Sequence, residues 1–99
     1  MAYELIIEPE AELDLEQAVN WYNKQRPGLG REFLERVEEV FDRIREMPEI
    51  HSVIHRTARL ALAKRFPYVI CYISDGNTVY VMAVFHGHRD PNMWQDRLP

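Results

Sequence analysis

The sequence has a single cysteine, Cys71, so no disulfide can form within the chain. One cysteine suits a reducing compartment, and we expect a cytoplasmic protein. No apolar run approaches the roughly 18 residues that span a bilayer, and no basic stretch precedes an apolar one at the N-terminus. The sequence therefore predicts neither membrane contact nor a signal peptide. No residues have zinc-ligand spacing, and we expect no metal and no cofactor.

The sequence also lacks repeats and linkers, so its 99 residues predict one domain, residues 1–99. The formal net charge is −4, but the two halves differ in sign. Residues 1–50 carry a balance of −7, whereas residues 51–99 carry +3 and all four histidines. This asymmetry predicts that an anionic partner meets the C-terminal half, although the acidic half is equally well explained as a solvated helical face.

The first half predicts one strand followed by two helices. Residues 3–7 are a short apolar run that Pro9 ends. Apolar residues then recur at helical spacing over residues 10–25, and a break at Arg26-Pro27-Gly28 separates this helix from a second over Leu29–Met47. Pro48 stops the second helix, and the short break between the helices predicts an antiparallel hairpin.

The second half predicts a three-stranded antiparallel meander. Residues 49–55 have loop character, and strands are expected at residues 56–63, 66–73 and 78–86, with a turn at residues 74–77. Residues 91–97 are compatible with one last helical turn. The expected fold class is α+β, with a twisted sheet and both helices on one face of it.

A turn centred on Asp75-Gly76 defines the expected strand register. It places Arg65 opposite His86 and puts eight side chains on one face: Phe66, Tyr68, Ile70, Tyr72, Val79, Val81, Ala83 and Phe85. The opposite face carries Val69, Cys71, Ile73, Tyr80, Met82, Val84 and His86. We expect the first, more aromatic face to lie under the helices. The second is also apolar, so either the C-terminal residues fold over it or a partner covers it.

The pairing of Arg65 with His86 indicates a candidate phosphate site, with His88, Arg89 and either Arg59 or Lys64 nearby. A guanidinium binds phosphate in bidentate fashion, and an imidazole titrates near neutrality. The alternative is structural, with these arginines paired to nearby aspartates and His86 packed at a strand end.

Two further residues, like this cluster, can be interpreted as structural or as functional. Trp94 either caps the open face of the sheet or offers a stacking surface to a base or partner. Cys71 lies in the middle of an apolar strand without a neighbouring base, which favours a core thiol.

Several segments resemble the RelE/ParE superfamily of small bacterial toxins, which form type II toxin–antitoxin pairs. They are EAELDLEQAVNWY, the apolar stripe from Phe33 to Ile44, RTARLALAKRFPYVICY and VFHGHRDPNMWQDR. The order of elements covers nearly the whole chain, and FPYVICY with the following HGHRDPNMW is the most specific part. The ParE-like branch is the better match.

The resemblance implies a cognate antitoxin, whose disordered segment wraps the toxin and folds on binding. Residues expected to contact this partner are Arg59, Cys71, Tyr80, Met82 and Trp94. A homodimer or a toxin–antitoxin hetero-oligomer is compatible with this expectation.

The branches of the superfamily differ in target. ParE-like toxins bind DNA gyrase, whereas RelE-like toxins cleave mRNA on the ribosome and need a base, cations and an acid. In this chain only Arg65, His86, His88 and Arg89 are candidates for that chemistry, and Trp94 stands where a catalytic aromatic is expected. An indole N–H is a donor only, and an acidic protein is poorly suited to the ribosome. We therefore favour gyrase binding over mRNA cleavage, with a degenerate, non-toxic member as a third reading.

Overall fold

The computed structural model describes residues 2–88 and 92–99. Two long helices follow a first strand, and a second group of strands precedes a short C-terminal helix. The elements are β1 (Glu4–Ile7), α1 (Pro9–Gln25), α2 (Leu29–Glu46), a 3-10 turn (Pro48–Ile50), β2 (Val53–His55), β3 (Ala58–Leu62), β4 (Tyr68–Asp75), β5 (Thr78–His86) and α3 (Asn92–Gln95). This order confirms the predicted α+β class.

The two helices form the predicted hairpin, and their bounds differ from the prediction by a residue at most. Pro9 occupies the first turn of α1, where its missing N–H costs nothing. Gly28 precedes α2 with φ of 88°, a left-handed conformation that favours glycine. A Cβ on Gly30 would lie 2.6 Å from the Val19 carbonyl oxygen, so glycine is what allows the helices to approach this closely.

The five strands form one sheet in the order β1-β5-β4-β3-β2. β1 pairs with β5 in parallel, and the remaining neighbours are antiparallel. Residues 49–55, predicted as a loop, instead contain the 3-10 turn and β2. A three-residue strand is too short to show a periodic pattern, which explains why the sequence does not predict it.

The predicted register of the last hairpin is wrong, for two physical reasons. Asp75 pairs with Thr78, so the turn is formed by Gly76 and Asn77, with φ of 61° at Gly76. Between Cys71 and Tyr72 the pairing then shifts by one residue, which is a β-bulge in β5. As a result His86 lies opposite Tyr68, not Arg65.

The bulge also exchanges residues between the two sheet faces. The helix face keeps the predicted Tyr72, Val79 and Val81, but Val84 joins it, while Ala83 and Phe85 move to the opposite face. The choice of the more aromatic face as the helix-covered core is confirmed. Tyr22, Phe33, Phe66 and Tyr68 form its aromatic centre, with ring centroids 4.9–5.9 Å apart.

None of the helices in the described part of the chain has both the length and the apolar character that crossing a membrane requires.

Candidate functional site

The sheet face opposite the helices carries a second, smaller apolar cluster, which we call the tail face. Its buried members are Ala58, Val69, Cys71, Ala83, Phe85 and Trp94. The indole of Trp94 is only 4% exposed and stacks on Phe85 with a centroid distance of 6.0 Å and an interplanar angle of 12°. His55 contacts the same indole edge-on at 5.9 Å. Residues 92–99, the tail, therefore cover this face, which is the first of the two expected alternatives.

An ion pair between Arg97 and Asp14 fastens the tail to α1, and we call this pair the latch. One guanidinium nitrogen of Arg97 lies 2.6 Å from Asp14 Oδ2, and the other lies 3.1 Å from Oδ1. Both side chains are only 15% exposed. A carboxylate oxygen of Glu10 also lies 3.3 Å from Arg97 Nε and forms a second ion pair with it. The hydrogen bond to Asp14 is the main cause of the raised pKa of Arg97. Arg97 is therefore a charged residue held in place, unlike most surface cations.

The latch also bonds to the backbone of β5. β1 ends at Ile7, so it leaves the later part of β5 without a neighbouring strand on that side. Asp14 Oδ2 accepts a hydrogen bond from the Val84 N–H at 3.0 Å, and Arg97 donates one to the Met82 carbonyl oxygen at 3.2 Å. The two side chains thus form hydrogen bonds with backbone groups of β5 that a neighbouring strand would otherwise pair with, and this protects the edge of the sheet.

Cys71 and Trp94, two residues predicted to contact a partner, lie buried beneath or within the tail. Burial raises the pKa of the Cys71 thiol to about 12, with Arg97 acting weakly in the opposite direction. The thiol is therefore neutral at physiological pH and is not an activated nucleophile. Neither residue presents surface to a partner while the tail is in place.

Two other residues predicted to contact a partner remain accessible. Tyr80 is half-buried, and its register neighbours Ile6 and Ile73 continue an apolar row across three strands. Ile6 is 38% exposed, and Met82, half-buried, lies next to this row. Among the described residues, the row Ile6–Tyr80–Ile73 is therefore one part of the sheet that the tail leaves partly exposed.

Arg59 lies at the opposite sheet face from this row. It pairs in register with Tyr72 and donates a hydrogen bond to the His51 carbonyl oxygen. Tyr72 in turn donates to the Pro48 carbonyl oxygen at 2.7 Å. Desolvation, together with Arg43 and Arg59, lowers the pKa of His51. These contacts hold the 3-10 turn and the start of β2 against the sheet.

Contrary to the prediction from the sequence, the structure does not pair Arg65 with His86, because His86 lies opposite Tyr68. Arg65 lies in the exposed β3–β4 connection with φ of 71°, whereas His86 contacts the Tyr68 ring at 5.7 Å. His88 lies close to His86, with ring centroids 5.2 Å apart, and its N–H donates to His86 Nδ1 at 3.1 Å. Arg89, the fourth predicted catalytic residue, lies outside the described residues.

Two features of the site have no sequence signal that could have revealed them. Asp14 and Arg97 are 83 residues apart, and only the folded chain brings them together. Trp21 occupies an ordinary helical position, yet its indole is 55% exposed beside His86. Over residues 2–88 and 92–99, no group of three His, Cys, Asp or Glu side chains is arranged to hold a metal ion.

Comparison with known proteins identifies relatives of this fold. One chain of a solved structure described as the chromosomal ParDE TA system from P. aeruginosa superposes on this chain with a TM-score of 0.74 and 13% sequence identity. The match covers 86% of this chain and 96% of that chain. A chain of the RelBE2 toxin–antitoxin complex from Mycobacterium tuberculosis superposes with a TM-score of 0.61 at 21% identity, covering 87% and 99%. At these identities the likeness shows the fold.

A comparison with curated protein sequences gives no significant match. The family model described as ParE toxin of type II toxin–antitoxin system, parDE, matches residues 5–91. That range includes both helices, the whole of the sheet from Leu5 onwards and the predicted HGHRDP segment. The preference for the ParE-like branch is thereby confirmed, and the chain belongs to the ParE toxin family of type II toxin–antitoxin systems.

Proposed function

We propose that this toxin stops bacterial growth by binding DNA gyrase and that a cognate antitoxin neutralises it. The observation that supports the choice of target is that Arg65 and His86 are not register partners, so the sheet does not hold the predicted catalytic set together by direct pairing. The tail face offers no replacement, because it holds a buried indole and a neutral thiol. A protein that acts by binding needs surface rather than an acid–base set, and membership of the ParE family supports the same ranking.

Ribosome-dependent mRNA cleavage is the second candidate, and one observation favours it. His86 and His88 are neighbours, and Arg65 projects from the same end of the sheet. An imidazole pair with a nearby guanidinium has the residue types for proton transfer and phosphate stabilisation.

The antitoxin is proposed to occupy the row Ile6–Tyr80–Ile73, beside the tail. This row is apolar, lies on the sheet and is partly exposed. A disordered segment that orders on binding would bury it and extend the cover that the tail provides. Both structural neighbours come from toxin–antitoxin systems, which supports a partner of this kind.

The proposed target is tested by inducing the toxin alone in bacteria. We expect growth arrest with a DNA damage response and intact ribosome-bound mRNA. Arrest with mRNA cleavage that disappears in Arg65→Ala and His86→Ala would overturn the ranking. Normal growth at good soluble expression would instead support a non-toxic member of the family.

The proposed antitoxin surface is tested by co-expression with the product of the adjacent short reading frame. We expect this product to co-purify with the toxin and to restore growth. Tyr80→Lys should weaken co-purification, because it places a charge in the apolar row. Leu13→Lys, at a residue of α1 that is 52% exposed, is the matched control and should leave binding unchanged. Equal losses for both variants would argue against this surface.

A further inference from the structure

A cavity of about 330 Å³ lies where the last turns of α1 meet the end of the β4–β5 hairpin. Its walls are formed by Trp21, Tyr22, Pro67, Tyr68 and His86. A smaller cavity of about 190 Å³ shares Trp21, Tyr68 and His86 with it and extends along α1 towards Gln17. Sites for small ligands are typically concave, largely apolar and roughly 300–1,000 Å³ in volume. The larger cavity fits this description and has no part in the toxin–antitoxin proposal above.

The indole of Trp21 is the most informative wall of this cavity. It is 55% exposed, although the tyrosine next to it in sequence is buried and in edge contact with it at 5.1 Å. A large aromatic side chain left half in water beside a cavity is a stacking surface for a flat ligand. Tyr68 on the neighbouring strand supplies a second ring to the same space.

Exposed cations and an imidazole lie at the same end of the sheet as the cavity. Gly87 N–H bonds to the Pro67 carbonyl oxygen at 2.8 Å, so the residues that follow Gly87 and precede Pro67 lie at the same end of the sheet. Lys64, Arg65 and His88 are exposed there. Neither Lys64 nor Arg65 forms an ion pair with any other residue in the described ranges 2–88 and 92–99.

The backbone fixes two of these groups in place. Phe66 packs against Tyr22 and Phe33 with centroid distances of 5.0 and 5.3 Å, and the preceding residue, Arg65, turns outward with a left-handed φ of 71°. The backbone N–H of His88 donates to His86 Nδ1 at 3.1 Å, which orients the His86 ring. The cavity therefore has aromatic walls and an imidazole, and two cations that form no ion pair within residues 2–88 and 92–99 lie at the same end of the sheet.

We propose that this end of the sheet binds single-stranded nucleic acid, with an unpaired base in the Trp21 cavity and the adjoining phosphates on Lys64, Arg65 and His86. Aromatic stacking and cations along a backbone are the two parts of single-strand recognition. The local positive charge complements the phosphates, although the whole chain is acidic. This binding does not depend on the identity of the toxin's target.

The test measures binding of the purified chain to a fluorescently labelled 12-nucleotide oligo-dT. Two further arms use the corresponding RNA oligonucleotide and a duplex of matched length. We expect Trp21→Ala to weaken single-strand binding about tenfold or more, because stacking on that ring is lost. Arg65→Gly should reduce the dependence of log K on log salt by about 0.7, the loss of one phosphate contact. Glycine also suits the left-handed backbone there, so this variant does not threaten the fold.

Arg43→Gln is the matched control, since Arg43 is an exposed cation near the C-terminal end of α2. Binding to DNA or RNA single strands that Arg43→Gln leaves intact and Trp21→Ala impairs supports the proposal. No binding at low salt would overturn it. Duplex binding as tight as single-strand binding, or equal losses for Trp21→Ala and Arg43→Gln, would also overturn it, because both indicate diffuse electrostatic attraction.

Discussion

The two faces of the sheet are both apolar, but different kinds of interaction cover them. The helix face lies beneath two helices of 17 and 18 residues and contains most of the buried side chains. The tail face lies beneath eight residues, which a stacked indole, the latch and a hydrogen bond from Arg56 to the Pro99 carbonyl oxygen help to hold. A cover packed through many residues opens only when much of the domain unfolds, whereas a short cover can open on its own.

This difference predicts that the two faces of the sheet differ in local stability. The helix face holds the larger buried cluster, and the tail face holds the smaller one beneath a short cover. Local opening occurs most readily in segments with few buried contacts. We therefore expect the tail to open without unfolding of the helix face.

The largest expected effect follows from truncation at the centre of the helix face. Phe33→Ala removes a side chain that is fully buried and contacts Tyr22, Phe66 and Tyr68. Core Phe→Ala changes cost about 3–5 kcal/mol, so the variant should approach the limit of foldability. Urea unfolding measures the loss. Leu62→Ala, at a side chain 69% exposed, is the control and should change stability by less than about 0.5 kcal/mol.

A smaller loss is expected from truncation of the tail. Trp94→Ala should cost about 2–3 kcal/mol at most, because only the docking of the tail is lost. The thiol of Cys71 should then react readily with an alkylating reagent under native conditions. A loss as large as that of Phe33→Ala would show that the two faces unfold together.

The latch should contribute less than the indole. Arg97→Met keeps the aliphatic stem but removes the bonds to Asp14 and Met82, at a cost of about 1–2 kcal/mol. Alkylation of Cys71 should accelerate by roughly tenfold for each 1.4 kcal/mol lost, if the tail opens locally. Arg36→Met breaks an exposed ion pair with Glu39 and is the matched control. Unchanged alkylation in Arg97→Met would mean that the latch does not hold the tail.

The smallest effect concerns pH. The pKa of His51 is lowered in the folded chain, chiefly by desolvation, so the unfolded chain binds a proton that the folded chain does not. Protonation of His51 in the unfolded chain therefore lowers the free energy of unfolding as pH falls through about 6.5, the ordinary histidine pKa. Urea unfolding measures the free energy of unfolding at pH 7.5 and at pH 5.5. The difference between the two values should be smaller for His51→Gln than for the unchanged chain. An equal or larger difference would contradict this sign.

The sequence predicts the helix face well because its signals are local. Helical spacing, Pro9, Gly28 and Pro48 define both helices to within a residue. The composition of the strands also identifies the more aromatic face correctly. Each of these features is determined by residues that are near neighbours in the chain.

The tail face is less predictable because its geometry depends on a bulge and on distant pairs. One extra residue in β5 moves Ala83 and Phe85 to the other face and, together with the shifted turn, places His86 opposite Tyr68. The latch joins residues separated by most of the chain. Hydrophobic patterning carries no information about either feature, since it specifies residue type and not partner.

The most direct test of the proposed function uses purified gyrase, relaxed plasmid and ATP. We predict that the toxin inhibits supercoiling in proportion to its concentration and that pre-incubation with the antitoxin restores supercoiling. His86→Ala should inhibit as well as the unchanged toxin, because no step requires an imidazole for proton transfer. Full supercoiling at saturating toxin, together with cleavage of ribosome-bound mRNA by the same preparation, would contradict the account.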